Sequence, residues 1–474
     1  MLNQDAIVGV CGAGAMGTGI AQVAAQAGHR VVILDQNDAA LSRGRDALAK
    51  SLATLVKRGR IAESAAAAIS ARCEWTTDVS RLSGASLVIE AIVENAEIKR
   101  ALFQQIEQVV ADGAVIATNT SSLSVTMLAA GLRNPARYMG LHFFNPAPVM
   151  KLVEVVSGAE TDPAIAASAL ALMSAWGKTA VMARDVPGFI VNRVARPFYG
   201  EGWRALEEGV ADAATIDFLY RDLAGFRMGP FELGDLIGHD VNTEAAKSVF
   251  SAYFGRTRFT PSLLQGQLVA AGRLGRKSGR GVYSYTDEIK PAPRLVRPNG
   301  TAGDSSLLNQ VLLLGPVEIG GATIMLTDGR TASRIADEAG ISVAVIDYLR
   351  DGAASSAIAY SASDEAADAA AIEFASACGK SAAQIKDRPG LVVFRTLLQL
   401  ANCAADAVRD QTASPDAIDI AMMNGVNYPF GPIDWARGIG FRRVNEALDA
   451  IADECGDEMY RPGEWLRAAA RLGL

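Results

Sequence analysis

The chain has 474 residues, 50% of them hydrophobic and 20% charged, a composition that argues against disorder and leaves room for two to four domains. Its formal net charge of -7 argues against a general nucleic-acid surface, and no uninterrupted apolar stretch reaches membrane-spanning length, so neither nucleic acid nor membrane is expected as a partner. The five cysteines are scattered without CxxC or Cys/His spacing and the first residues carry no basic targeting region, so a cytoplasmic protein with no metal site is expected.

Residues 6–11 read as a strand running into Gly12-Ala13-Gly14-Ala15-Met16-Gly17, a GxGxxG motif, and residues 20–27 continue with helical spacing. Each glycine meets a separate need. Gly12 permits the tight turn, Gly14 lets backbone N–H groups approach a pyrophosphate, and Gly17 lets helix pack on strand. A second strand, residues 29–34, ends at Asp35, placed to accept hydrogen bonds from the adenosine ribose. Asp35 repels a ribose phosphate and Gln36 offers it no cation, so NAD is expected rather than NADP. Residues 42–60 carry Arg43, Arg45, Lys50, Lys57, Arg58 and Arg60 against one acid, Asp46, a local basic exception suited to phosphates or to a solvated helix face.

Further strands are predicted at residues 87–91 and 114–118, each ending in small or polar residues at the carboxyl edge where parallel sheets bind ligands. Residues 138–144 and 149–156 read as two strands around the Asn145-Pro146 turn, which brings His142 and Glu154 together as neighbours. A carboxylate beside an imidazole fixes its tautomer and favours the charged form, so the pair can serve as general base and orienter. Taken alone it is equally compatible with a buried, merely hydrogen-bonded histidine.

Together these residues resemble the 3-hydroxyacyl-CoA dehydrogenase family: the glycine fingerprint, EAIVEN at 90–95, NTSSL at 119–123, GLHFFNPAPVMKLVEV at 140–155 and DVPGFIVNR at 185–193. MGPFELGDLIG at 228–238 and RKSGRGVYSY at 276–285 extend the resemblance across residues 5–285. It implies an NAD-dependent oxidation of (S)-3-hydroxyacyl-CoA, with His142 as base, Glu154 as its partner, and Ser121 and Asn192 holding the reacting oxygen. It further implies cofactor contacts at Glu94, Lys99, Asn145 and Lys277. Ser51 with Lys57 or Arg58 falls where the coenzyme A moiety of the acyl-CoA thioester is held.

After Tyr285, Pro291, Pro293, Pro298, Asn299 and Gly300 mark a linker, followed by apolar runs at 307–314 and 322–326 that suggest a small α/β element. Beyond it the chain repeats itself at an offset of 202, Pro187-Gly188-Phe189 recurring as Pro389-Gly390-Leu391 and Gly229-Pro230 as Gly431-Pro432, while Asn192 becomes Phe394. The expected architecture is an α/β Rossmann-like NAD-binding domain (1–184), an all-α domain (185–285), a linker with a small α/β segment (286–360), and a second, degenerate, non-catalytic copy of the α domain (361–474). In the family the helical domain is the dimerisation surface, so the resemblance implies a homo-oligomer, a dimer, or an intrachain pseudo-dimer. The long duplicated layout resembles bacterial members acting on 3-hydroxyadipyl-CoA in phenylacetate breakdown, whereas short-chain 3-hydroxybutyryl-CoA members usually end near the position of Tyr285. The alternatives are a 3-hydroxybutyryl-CoA or general β-oxidation enzyme, a dehydrogenase of free 3-hydroxy acids, and a retired dehydrogenase kept as a structural or NAD-binding protein.

Overall fold

The computed structural model describes residues 6–286, 291–297, 303 and 305–474; Pro298, Asn299 and Gly300 of the expected linker lie outside them. Two compact units form, one holding the chain up to Val191 together with Gln411–Val426, the other Asn192–Asp410 together with Asn427–Leu474. No helix among the described residues is long and apolar enough to cross a membrane.

The first unit is built on eight strands: β1 (Ile7–Cys11), β2 (Val31–Leu34), β3 (Cys73–Thr76), β4 (Ala85–Glu90), β5 (Val115–Thr118), β6 (Tyr138–Phe143), β7 (Leu152–Ser157) and β8 (Thr179–Arg184). They pair in the order β3-β2-β1-β4-β5-β6-β7-β8, and only the β6–β7 pair is antiparallel. The near-continuous apolar runs of β1, β2 and β4 fit strands covered on both faces, and Val8, Val10, Ile33, Leu87 and Ile89 are buried in the core. The order reverses between β1 and β4, where ligands bind in open α/β sheets. Helix α1 (Ala15–Gln26) starts there, and α2 (Asp38–Lys57) follows β2, its Asn37 cap accepting from the N–H groups of Ala39 and Ala40.

A segment from the far end of the chain completes this unit. Arg184 N–H donates to the Thr412 carbonyl at 2.8 Å, and helix Pro415–Gly425 packs against β7 and β8. A Cβ at Gly425 would sit 2.6 Å from Leu152 Cδ2 and 3.1 Å from Val191 Cγ2, so any larger residue would force these side chains to shift.

The second unit contains helices from both halves of the repeat and a five-stranded sheet: β9 (Val317–Ile319), β10 (Ala322–Leu326), β11 (Val343–Ile346), β12 (Ala357–Ala362) and β13 (Ser381–Gln384). Of the two apolar runs expected to form a small α/β element, 322–326 is β10 and 307–314 falls largely in the helix Ser305–Leu313. The sheet continues to Gln384, so residues 361–384, expected in the second helical copy, belong to this α/β element. The linker is tied down as well: Val296 exchanges backbone hydrogen bonds with Ala382, each 2.8 Å.

The repeat reaches further back than its sequence punctuation. β10-β11 is parallel, β11-β12 antiparallel and β12-β13 parallel, the pattern of β5-β6, β6-β7 and β7-β8. Extending the β11–β12 register superposes His142 on Asp347 and Glu154 on Ala359, with Asp347 N–H on the Ala359 carbonyl at 2.8 Å. The Pro-Gly turns match too, with positive φ at Gly188 (76°) and Phe189 (46°) and at Gly390 (71°) and Leu391 (54°).

The two helical copies meet in a buried charge network. Glu201 pairs with Arg204 at 2.7 Å and with Arg395 at 3.0 Å, and Tyr460 donates to it at 3.2 Å. Each charge therefore has a partner, the condition under which buried ions are tolerated.

Asp347 acts as a helix cap. Its carboxylate accepts from Val392, Val393 and Phe394 N–H at 3.1, 2.7 and 2.9 Å, at the start of helix Val393–Arg409. Burial raises its pKa from 3.8 to about 6, against the pull of those N–H groups. Because the folded value is the higher one, its contribution to stability is full below about pH 4 and is lost as pH rises through about 6. Asp347→Ala is expected to cost about 2–4 kcal/mol in urea unfolding, by stranding buried N–H groups, and more at about pH 5 than at about pH 7.5. A loss below about 0.5 kcal/mol would show the cap to be dispensable.

Candidate active site

The glycine motif forms the first half of the site. A side chain at Gly12 (φ 109°) would meet the Ala91 carbonyl at 2.5 Å and one at Gly17 the Gly12 carbonyl at 1.8 Å, whereas Gly14 faces open space. Turn and packing thus claim Gly12 and Gly17, and Gly14 leaves the approach to α1 clear. Gly14 is also the helix cap and has no side chain, so the first N–H groups of α1 stay available for an anion. Asp35 accepts Ala13 N–H at 2.8 Å and Asn37 N–H at 3.1 Å, which fixes its carboxylate beside the turn. Gly12, Gly14, Asp35, Gln36, Ile92 and Ile98 are among the residues lining a cavity of about 790 Å³. Turn, acid and apolar walls fit a dinucleotide.

A charged lattice joins the ends of β4 and β5. Glu90 is fully buried and accepts from Lys99 Nζ and Thr118 Oγ1, each at 2.7 Å. Lys99, 1% exposed, also pairs with Glu94 at 3.0 Å. Its ammonium thus lies between two carboxylates and holds Glu94 in place. Glu94 in turn accepts Ser121 N–H at 3.2 Å and Ser122 Oγ at 3.0 Å, and Thr120 bonds it as well. Burial alone would raise Glu94, but the Lys99 charge and the Thr120, Lys99 and Ser122 hydrogen bonds outweigh it and hold its pKa below the usual value. The loop carrying Ser121 is thus anchored to the cofactor edge of the sheet. Asn119 Oδ1 ties the same loop to β6 by accepting Phe143 N–H at 2.8 Å.

His142 and Glu154 face each other across β6 and β7, with Nδ1 2.5 Å from Glu154 Oε2. The imidazole is 5% exposed, between the rings of Phe144 (4.5 Å) and Phe189 (5.7 Å). Glu154 is fully buried, and its other oxygen accepts Ile190 N–H at 3.0 Å and Val191 N–H at 2.9 Å. An acceptor at Nδ1 assigns the proton to that nitrogen, which makes Nε2 the lone-pair nitrogen able to take a proton. Asn192 is the next residue after Val191 and opens the second unit.

Asn145 is exposed in the loop that follows β6, and Lys178 braces that loop by donating to the Ala147 and Met150 carbonyls at 2.5 and 2.8 Å. Burial lowers the Lys178 pKa to about 8. Ser51, Lys57 and Arg58 lie toward the C-terminal end of α2, where Lys57, Ala53, Val56, Glu63 and Ala66 line a groove of about 470 Å³. Lys277 lies in the second unit, paired with Asp240 at 2.6 Å. His239 also has a carboxylate, Asp235 at 2.6 Å, but both side chains are fully buried, so a histidine–carboxylate pair does not by itself make a site.

Glu90, Thr118 and Lys178 were missed from the sequence as positioning residues. For Glu90 the signal was present: a glutamate ending a buried strand with a lysine nine residues later. Nothing local marks Lys178, whose partners come from a loop about thirty residues earlier.

Comparison with known proteins places these features in one family. Residues 7–186 match the family model described as 3-hydroxyacyl-CoA dehydrogenase, NAD binding domain, and residues 188–285 and 390–474 match 3-hydroxyacyl-CoA dehydrogenase, C-terminal domain. Residues 324–389 match 3-hydroxybutyryl-CoA dehydrogenase reduced Rossmann-fold domain, in accord with the shortened β10–β13 repeat. The chain is 43% identical over 472 residues to a 3-hydroxyadipyl-CoA dehydrogenase of Escherichia coli K12, covering 100% of this chain and 98% of that one. A crystal structure of a 3-hydroxybutyryl-CoA dehydrogenase from Escherichia coli K12 superposes with a TM-score of 0.92 at 42% identity, covering 99% of this chain and 98% of that one. A probable 3-hydroxybutyryl-CoA dehydrogenase of Deinococcus radiodurans is 42% identical, covering 58% of this chain and 99% of its own.

Asp35→Ser removes the ribose acceptor without filling the cavity, and is expected to weaken NADH binding about 10–100-fold in a fluorescence titration. Unchanged affinity would remove Asp35 from the cofactor site.

Proposed function

The chain belongs to the 3-hydroxyacyl-CoA dehydrogenase family, and from that premise we propose that it oxidises the thioester of a six-carbon dicarboxylic acid, 3-hydroxyadipyl-CoA, with His142 as general base. NAD, when bound, accepts the hydride released from the alcohol carbon. The observation that carries the reading is the His142–Glu154 pair at 2.5 Å. With Nδ1–H committed to Glu154, Nε2 takes the hydroxyl proton, and the buried carboxylate stabilises the imidazolium that results. In the reverse direction the same nitrogen returns the proton to the carbonyl oxygen. Ser121 and Asn192 hold that oxygen by preorganised hydrogen bonds, Ser121 on a loop that Glu94 anchors. Gly12, Gly14, Gly17 and Asp35 bind the dinucleotide, with Glu94, Lys99, Asn145 and Lys277 as further contacts, and Ser51, Lys57 and Arg58 bind the coenzyme A moiety.

The name of the full-length Escherichia coli relative supports the dicarboxylic substrate, and the name of the crystallised one supports a second reading, 3-hydroxybutyryl-CoA. We infer further that the enzyme works in the cytoplasm. The second helical copy is taken to be non-catalytic, an intrachain partner for the first; the Glu201 network joining the two copies supports this.

His142→Gln is expected to lower kcat by about 10²–10⁴-fold while NADH binding, read by fluorescence, changes little. Ordinary turnover in that variant would refute the base assignment. Assays of 3-oxoadipyl-CoA against 3-oxobutyryl-CoA with NADH decide the substrate: the dicarboxylic thioester is expected to give the higher kcat/KM, and the reverse order would favour the second reading.

A further inference from the structure

A dicarboxylic acyl chain carries a second negative charge, and a site selecting it needs a cation without a partner of its own. The two successive helices Val191–Val194 and Arg196–Glu207 hold three arginines, Arg193, Arg196 and Arg204. Arg193 pairs with Asp410, and Arg204 with Glu201 at 2.7 Å. Arg196 pairs with no carboxylate among the described residues. Its Nε donates to the Asn192 carbonyl at 2.9 Å, its Cζ lies 5.3 Å over the Tyr199 ring, and its Nη1 is buried without an acceptor. Burial pulls its pKa below the usual arginine value, and the polar groups that oppose this are Tyr199, Tyr428 and Cys403, all neutral at pH 7. A buried guanidinium with an unfilled donor is costly unless an anion completes it.

We propose that Arg196 is the residue that binds the terminal carboxylate of the acyl chain and thereby selects a dicarboxylic over a monocarboxylic thioester. The proposal rests on the reading above, in which Asn192 holds the reacting oxygen and the substrate is six carbons long. Arg196 follows Asn192 by four residues, one helical turn, a rise of about 5.4 Å. In a six-carbon dicarboxylic chain the terminal carboxylate lies three bonds beyond the reacting carbon, a reach of the same order. The planar fork suits a carboxylate, and the Nε bond to Asn192 together with the Tyr199 ring holds it in one orientation.

The test is a comparison of 3-oxoadipyl-CoA with 3-oxohexanoyl-CoA, equal in carbon number and differing in the terminal charge, each assayed with NADH. In the wild type the ratio of kcat/KM is expected to favour the dicarboxylic substrate. In Arg196→Met that ratio is expected to fall about 10–100-fold, chiefly through KM of the dicarboxylic substrate. Arg196→Lys, which keeps the charge and loses the fork, is expected to fall in between. If Arg196→Met depresses both substrates equally and leaves the ratio unchanged, Arg196 only braces the Asn192 turn and the proposal is overturned while the substrate reading stands. A wild type with no preference overturns the substrate reading, and the proposal with it. Should the Met variant fail to fold, by its Tm, the Lys variant decides: a wild-type ratio there overturns the proposal, and a fall of a few-fold supports it.

Discussion

Glu154 is a carboxylate buried without a permanent cation, and three hydrogen bonds keep it there. One oxygen receives His142 Nδ1 and the other the N–H groups of Ile190 and Val191. Desolvating a carboxylate is costly, and donors aimed at the charged form are what offset the cost. The consequences run both ways along the chain. On β6 the carboxylate sets the tautomer of His142; after the Pro187-Gly188 turn it satisfies the N–H groups from which the helix holding Asn192 starts. The orientation of His142 and the start of that helix therefore hang on one side chain, and removing it would disturb both together.

The repeat shows this arrangement in a second form. In the shortened sheet the carboxylate moves from the strand-β7 position to the strand-β6 position: Asp347 stands where His142 does, Ala359 where Glu154 does. It still caps the following helix, accepting from Val392, Val393 and Phe394. The capping of the following helix is kept, and no imidazole stands across the strand pair to be oriented. At the place of Asn192, Phe394 is fully buried, with Tyr348 and Trp435 among its ring neighbours at 6.1 and 6.2 Å. A polar helix start has become core.

Much of this is legible in the residues alone. The glycine spacing, the acid at the end of the second strand and the pairing of His142 with Glu154 are local patterns, set by turn chemistry and strand alternation within a few dozen residues. What stays hidden depends on distant partners. Nothing local to Lys99 marks the burial that Glu90 and Glu94 impose on it. The strands β12 (AIAYSA) and β13 (SAAQ) are rich in alanine and flank the alanine-rich helix Glu365–Ala377, so a helical reading of that stretch follows from propensity and is overridden by the pairing of β12 with β11 and of β13 with β12. The return of Gln411–Val426 to the first unit carries no local mark at all; it appears only in the Thr412 carbonyl and the bare Cα of Gly425.

The Glu90–Lys99–Glu94 lattice holds the loops that follow β4 and β5 in register. Loops ordinarily carry function at the expense of precision, and a binding group placed loosely by an ångström loses most of its effect. Here the strand ends are locked by charge: Glu90 fixes Lys99 and Thr118, Lys99 fixes Glu94, and Glu94 fixes Thr120, Ser121 and Ser122. Because Glu90 and Lys99 are buried, their attraction is little screened by salt, unlike that of an exposed pair. Two acids around one ammonium leave a net negative charge, which the hydroxyls and N–H groups of the Ser121 loop answer by turning toward Glu94. The order of the loop is thus a response to an unbalanced buried charge on the neighbouring strand, and the loop's short polar residues, read alone as ordinary turn chemistry, are the donors that this charge requires.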